Sequence, residues 1–324
     1  MNVALVGSNF ALKGYLPVIK KIKQLRLKIL CCRNISKLRL CLSKLKDTIH
    51  ENNWKKVFIN DIDLIILAVP PKIQNQILNY NLKFKKKILF EKPISQNLAS
   101  SKKIVQSFKR KKIKSDINLT FLNHILFNKT KDIIDKKKLG KVLSYEVLWS
   151  FKSFDLENKI KSWKTVERQG GGIKNIFLTH VFSYCEFLFG EGQIVNYSFK
   201  ISKFKNIKYK NKIFCILRNK KGVTGKITLF VKKRGNQNHK IVIKCKEGYV
   251  QLSTKSKDWT KNFILETFNN QSGIKKIIKE KKIKKFKDGR SNQIFTMIKN
   301  FLKKSNYSNI DYCLNAEKLN KTIN

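Results

Sequence analysis

Residues 2–14 read NVALVGSNFALKG, a short apolar run, a glycine-led turn and the start of an amphipathic stretch. NVALV (2–6) suits a buried strand that ends at Gly7. From residue 11 to 24, Leu12, Leu16, Ile19 and Ile22 fall on one helical face. A strand that turns tightly into a helix can present backbone N–H groups to a pyrophosphate at the helix N-terminus. Of the usual G-x-G-x-x-G spacing, Gly7 is kept. The second position is Asn9, which tolerates left-handed φ better than most residues do. The third is Leu12, whose side chain removes the close helix–strand contact a glycine permits. Gly7, Ser8, Asn9 and Phe10 are the candidate phosphate-turn residues. An ordinary strand–turn–helix corner would look much the same, so the pattern of the next hundred residues has to decide between them.

That pattern is alternation. LKILCC (27–32) reads as a second strand, with a helical stretch from about Ser36 to Lys46. DLIILAV (63–69) is continuously apolar, as a strand buried on both faces is. Pro70 and Pro71 end it. A helix over 72–82, a strand over 86–90, a helix over 95–110 capped by Ser95, and a strand over 115–121 complete the pattern. Short connections between strands and helices predict a doubly wound parallel sheet, a Rossmann domain spanning 1–120. Beyond it a helix over 124–138 precedes strands at 141–149, 193–202, 210–217, 224–231, 239–245 and 248–252. These predict an α/β domain over 121–324 with an open, mostly antiparallel sheet, interrupted by a helix over 174–189. Residues 291–303 form an amphipathic helix with Ile294, Met297, Ile298 and Phe301 inward. This C-terminal helix can pack back on the first domain.

Lys plus Arg number 71 against 21 Asp plus Glu, a net charge of +50. Such a field attracts polyanions. Yet the charge is mostly lysine and is spread along the chain, beside abundant Asn, Ile and Phe. That joint bias is what an AT-rich coding sequence produces. No basic stripe with interleaved aromatics accompanies it, so nucleic acid is not the expected partner. The densest basic run is 275–287 (KKIIKEKKIKKFK). With 42% hydrophobic residues the chain can bury a core, which excludes disorder. The seven cysteines (31, 32, 41, 185, 215, 245 and 313) contain no C-x-x-C pair. Reduced thiols are expected, without a metal site. No apolar stretch approaches the ~20 residues of a membrane helix, and the N-terminus lacks a signal-peptide pattern. A cytoplasmic protein is expected.

Strand two ends at Cys31-Cys32-Arg33-Asn34. An NAD site usually places an acid here for the ribose hydroxyls. Arg33 stands there instead, with Lys37 and Arg39 after it. An arginine at this corner pairs with a 2′-phosphate, which favours NADP(H) over NAD(H).

Six features occur in order: the N-terminal turn, A-V-P-P (68–71), K-I-L-F-E-K-P (87–93), L-G-K-V (139–142), Trp163 ahead of G-G-G (170–172), and His180 followed by L-F-G (188–190). In this order the chain resembles the glucose-fructose oxidoreductase / inositol dehydrogenase family over almost its whole length. The resemblance implies an NAD(P)-dependent oxidoreductase that moves hydride between a nicotinamide and a hydroxyl or carbonyl carbon of a sugar, cyclitol or nucleotide-sugar. It also implies a homo-oligomer, a dimer or tetramer.

Lys92 is the implied chemical centre. A strand delivers it at its C-terminal end, where ligands bind in parallel sheets, and Pro93 restricts the turn. A lysine among apolar walls can have a lowered pKa and move protons. Ala68, Val69, Pro70, Glu91 and Lys92 are candidate cofactor contacts. In GGGIKNIFLTH (170–180), His180 is the implied second acid/base, its ordinary pKa near ~6.5 suiting proton exchange. Relatives usually carry an Asp four residues before this His; here it is Ile176. Another frequent Asp, three residues after, is Ser183. Asn123, Lys164, Arg168 and Thr179 are candidate substrate contacts. The departures at Asn9, Leu12 and Ile176 keep open a second reading, a family member without catalysis that binds a nucleotide or sugar. His50, His124 and His239 are expected to be structural.

Overall fold

Short apolar runs at the N-terminus become a parallel sheet. The computed structural model describes residues 1–33, 45, 47–59, 61–158, 160–204, 207–220, 222–232, 236–280, 286–305 and 308–323. The expected helical stretch near 36–46 lies almost wholly outside these, as do Lys37, Arg39 and Cys41. The chain forms two compact units, Met1–Leu119 with Lys285–Leu314, and Thr120–Lys284 with Asn315–Asn324.

The first unit holds strands β1 (Asn2–Val6), β2 (Arg26–Cys31), β3 (Ile49–Glu51), β4 (Leu64–Leu67), β5 (Lys87–Phe90) and β6 (Ser115–Ile117). Their order is β3-β2-β1-β4-β5-β6, and all pairings are parallel. The order reverses between β1 and β4, which is the topological switch point where open α/β sheets bind ligands. Every residue of β4 is fully buried, as its unbroken apolar run requires. Helix Arg290–Lys303 belongs to this unit, and Ile294, Met297, Ile298 and Phe301 enter one core with Leu5, Val18, Leu64 and Leu89.

Several boundaries differ from expectation. The first helix ends at Lys21, because Ile22 turns extended (φ −91°, ψ 105°). The helix expected from Ser95 starts at Leu98 instead. Its cap is Asn97, whose side chain accepts from the Ser100 N–H at 3.0 Å. β6 stops at Ile117, and a tight 3-10 turn takes over at Thr120–Asn123. β3 and the helix Ile310–Thr322 have no counterpart among the elements expected from sequence.

The second unit carries β7 (Val142–Phe151), β8 (Gly192–Phe204), β9 (Ile207–Asn219), β10 (Thr224–Val231), β11 (Asn238–Cys245), β12 (Gly248–Thr254), β13 (Ile264–Asn269) and β14 (Lys275–Lys279). Their order is β14-β13-β12-β11-β7-β10-β9-β8, antiparallel except for β7 with β10. β7 alternates as a one-sided strand does: Tyr145, Val147 and Trp149 are buried, whereas Leu148 is 37% exposed. Part of the basic run at 275–287 is the exposed edge strand β14; 281–285 lie outside the described residues. Lysine on an edge discourages pairing with another sheet.

Among the described residues no helix is long and apolar enough to cross a membrane. Cys31, Cys32, Cys185, Cys215, Cys245 and Cys313 are buried free thiols.

Candidate active site

At the switch point, β1 ends on Gly7 with φ +132°. A Cβ there would lie 2.4 Å from the Ala68 carbonyl oxygen at the end of β4. Only glycine fits this conformation and this approach. Gly7 N–H donates to Cys31 O and Ala68 N–H to Val6 O, both at 2.8 Å, so three strand ends are pinned together. The helix opens at Asn9 and makes a π turn at Ala11–Tyr15 before the α-helical Leu16–Lys21. Asn9 is therefore helical, not left-handed as the glycine spacing implies. Ser8 and Asn9 are exposed and Phe10 is half-buried. An exposed helix N-terminus at the switch point fits a pyrophosphate. Val69 is half-buried and Pro70 exposed, leading into helix Pro71–Phe84. Arg33 is exposed just beyond β2. An acid does stand nearby: Glu51 pairs in register with Cys31 and is ion-paired to Lys56 at 3.2 Å.

β5 delivers the E-K-P turn, whose Lys92–Pro93 peptide is cis. Gln74, 1% exposed on helix Pro71–Phe84, holds this turn. Its Nε2 donates to the carbonyls of Glu91 (2.6 Å), Pro93 (2.8 Å) and Ile94 (3.1 Å), and its Oε1 accepts from Glu91 N–H at 3.1 Å. Glu91 turns inward. Its Oε1 accepts from Tyr15 Oη at 2.6 Å and Asn118 Nδ2 at 2.8 Å. Burial pushes its carboxyl above the usual range, against the pull of the Tyr15 and Asn118 hydrogen bonds. Glu91 is thus tied into the scaffold that fixes its neighbour. Lys92 itself is half-buried.

In the second unit, Gly171 packs so closely that a Cβ would lie 2.0 Å from the Trp163 carbonyl oxygen. A π turn at Lys174–Leu178 then precedes helix Thr179–Phe189. The phosphate-turn segment and the His180 segment therefore each carry a π turn, a feature that recurs at functional sites. His180 is 4% exposed, its ring edge-on to Phe121 (centroids 5.6 Å) and tilted against Trp259 (5.8 Å). Ile176, at the position where relatives usually carry an acid, is half-buried.

Thr179, a candidate substrate contact, lies inside the second unit. It is fully buried, donates to Asn175 O (2.9 Å) and accepts from Asn320 Nδ2 (2.8 Å). Asn175 spends its amide on Gly171 O at 2.9 Å. Lys164 and Arg168 are exposed, whereas Asn123 is buried in its 3-10 turn. Between the two basic residues, Glu167 binds Lys210 through both oxygens (3.1 and 3.2 Å) and stands 3.6 Å from Lys174.

Phe121 organises an aromatic cluster that also holds two other histidines. His124 caps helix Ile125–Asp135, its Nδ1 accepting from Leu126 N–H at 3.2 Å. His239 stacks on Trp149 (4.3 Å, 4°), and its Nε2 lies 3.0 Å from Tyr184 Oη. Burial, reinforced by His124, lowers the His239 pKa to about 3. Its unfolded value is 6.5. The neutral form is therefore favoured by folding. Its stabilisation is complete above about pH 6.5 and is lost as pH falls towards about 3. Unfolding should take up a proton through His239 in that window. His239→Phe should flatten the acid limb of the stability curve in urea melts across pH; an unchanged slope would contradict the assignment.

The sequence did not single out Gln74, Asn118 or Tyr15. Tyr15 belongs to the same π turn, and Asn118 directly follows β6.

Two family descriptions match the chain. Residues 1–118 match "Oxidoreductase family, NAD-binding Rossmann fold", and residues 131–317 match "Oxidoreductase family, C-terminal alpha/beta domain". An uncharacterized oxidoreductase of Synechocystis sp. is 20% identical over 195 residues, 60% of this chain. The match spans about half (52%) of that relative's length. A levoglucosan dehydrogenase solved with NADH and levoglucosan superposes with a TM-score of 0.83 at 15% identity, covering 100% of this chain and 96% of that one. A 3-ketoreductase from Actinomadura kijaniata, solved with NADP and TDP-benzene, has a TM-score of 0.79 at 12% identity, covering 99% and 96%. With its two matched domains covering nearly the whole chain, this protein belongs to the Gfo/Idh/MocA oxidoreductase family, whose N-terminal domain is an NAD-binding Rossmann fold.

Proposed function

We propose that this chain is an NAD(P)-dependent oxidoreductase acting on a hydroxyl-bearing or carbonyl carbon of a sugar, cyclitol or nucleotide-sugar. One observation carries the reading. The glycine turn and the E-K-P turn sit at the carboxyl ends of β1 and β5, strands separated only by β4. When bound, the nicotinamide supplies a hydride donor or acceptor at ring carbon C4. Gly7 to Phe10 would hold the pyrophosphate, and Arg33 the ribose end. Lys92 would hold and exchange the proton at the substrate oxygen, its backbone fixed by Gln74. His180 would act as a second proton donor or acceptor; Ile176, four residues before it, brings no carboxylate to the task. The levoglucosan dehydrogenase among the solved structures supports this substrate class.

Titration of the purified chain with NADPH and NADH, followed by cofactor fluorescence, tests the first half. Saturable binding is expected, tighter for NADPH if Arg33 meets a 2′-phosphate. No binding of either at millimolar cofactor sinks the proposal. A panel of sugars and polyols then tests turnover. Ile176, Asn9 and Leu12 favour one competing reading, a non-catalytic binding protein, and cofactor binding without turnover on any panel member would select it.

A further inference from the structure

The turn G-S-N-F-A-L-K-G ends on a glycine that the dinucleotide spacing does not call for. A Cβ on Gly14 would lie 2.5 Å from the ring of Phe10. Its absence lets that ring lie against the helix. Arg290 sits on the ring, its guanidinium carbon 4.1 Å from the centroid. Two of the five guanidinium donors are forked onto Asp288, Nε to Oδ1 at 3.0 Å and Nη2 to Oδ2 at 2.6 Å. The next residue, Ser291, donates its hydroxyl to the Gly14 carbonyl at 2.9 Å. A segment far along the chain thus returns to the first turn and docks on the Phe10–Gly14 pair. The Arg290 side chain stays 38% exposed.

We propose that Arg290, seated on Phe10, is a phosphate clamp of the dinucleotide site. Stacking fixes the plane of the guanidinium and Asp288 fixes its rotation, so little freedom remains to be lost when an anion binds. A planar fork suits phosphate oxygens. The clamp supplies charge at a turn whose second and third glycines are Asn9 and Leu12. It rests on the NAD(P) reading above.

Calorimetric titration of NADPH, NADH and ADP-ribose, which share the pyrophosphate, tests it. Arg290→Ala should weaken all three by tenfold or more, with a melting temperature within about 2 °C of wild type. Arg290→Lys should weaken them less. Wild-type affinity should also fall more steeply with added salt than that of Arg290→Ala, because the clamp's charge is screened; a purely structural arginine would not alter this slope. If Arg290→Ala does not fold, Arg290→Gln and Phe10→Leu are measured in its place, and weaker binding is expected of each. Wild-type binding with unchanged affinity and salt slope in the folded variants overturns the clamp alone. Failure of the wild type to bind any of the three overturns the cofactor reading and the clamp with it.

Discussion

Replacing Lys92 by alanine is expected to lower turnover by about 10²–10⁴-fold, the range over which positioned proton transfer contributes, while cofactor affinity changes little. The expectation follows from how the turn is built. The backbone on either side of Lys92 is held by Gln74 through Glu91, Pro93 and Ile94. Glu91 is anchored separately by Tyr15 and Asn118. Truncating the half-buried Lys92 side chain therefore leaves the scaffold in place and opens no internal cavity. Lys92→Arg should fail almost as badly, because a guanidinium does not give up its proton. The measurements are kcat and kcat/KM on a substrate from the panel, with the cofactor dissociation constant as control. Turnover within about threefold of wild type would remove Lys92 from the chemistry, leaving the turn as scaffold only. A parallel loss of cofactor affinity would instead assign Lys92 to cofactor binding.

The sequence exposes the features that local pattern controls. DLIILAV announces a central strand because such a strand is apolar throughout, and β4 is shorter only at its ends, where Asp63 turns its carboxylate to Asn2 N–H at 2.8 Å. What it hides depends on distant partners. β3 (IHE) is a three-residue edge strand with no alternation to detect. Helix Ile310–Thr322 is mostly polar, and its buried positions include the small residues Cys313 and Ala316. Ser95 and Asn97 are both sound caps by type. Gln74 decides between them, since it holds the chain out of helix as far as the Ile94 carbonyl. Arg290 is one of 71 basic residues and stands out only once Phe10 is found beneath it. The sequence around Thr179 does not show that Asn320, far along the chain, donates to its hydroxyl. Motif positions such as Gly7, Lys92 and His180 are visible in sequence; the groups that orient them are not.

Gln74→Leu is expected to destabilise the protein by about 3–5 kcal/mol. A glutamine in an amphipathic helix normally faces water, yet Gln74 is 1% exposed and uses both ends of its amide. Only one amide orientation satisfies the site, because three neighbours are carbonyls and the fourth is an N–H. Leucine matches the volume, so the substitution removes hydrogen bonds without opening a large void. Each buried backbone group left without a partner costs ~1–3 kcal/mol. Three carbonyls share two amide protons, so the losses do not simply add. A cost of this size is a large share of the ~5–15 kcal/mol that holds a typical domain folded, and should lower the melting temperature by roughly 10 °C. Gln74→Glu sharpens the test. A carboxylate would face three carbonyl oxygens, so its pKa in the folded state should rise and its stability should fall as pH increases from about 5 to about 8. Gln74→Leu should carry no such added pH dependence. Denaturant melts of both variants across that range separate the two outcomes, and a Gln74→Leu cost below about 0.5 kcal/mol would mean that the E-K-P turn holds its shape without its clamp.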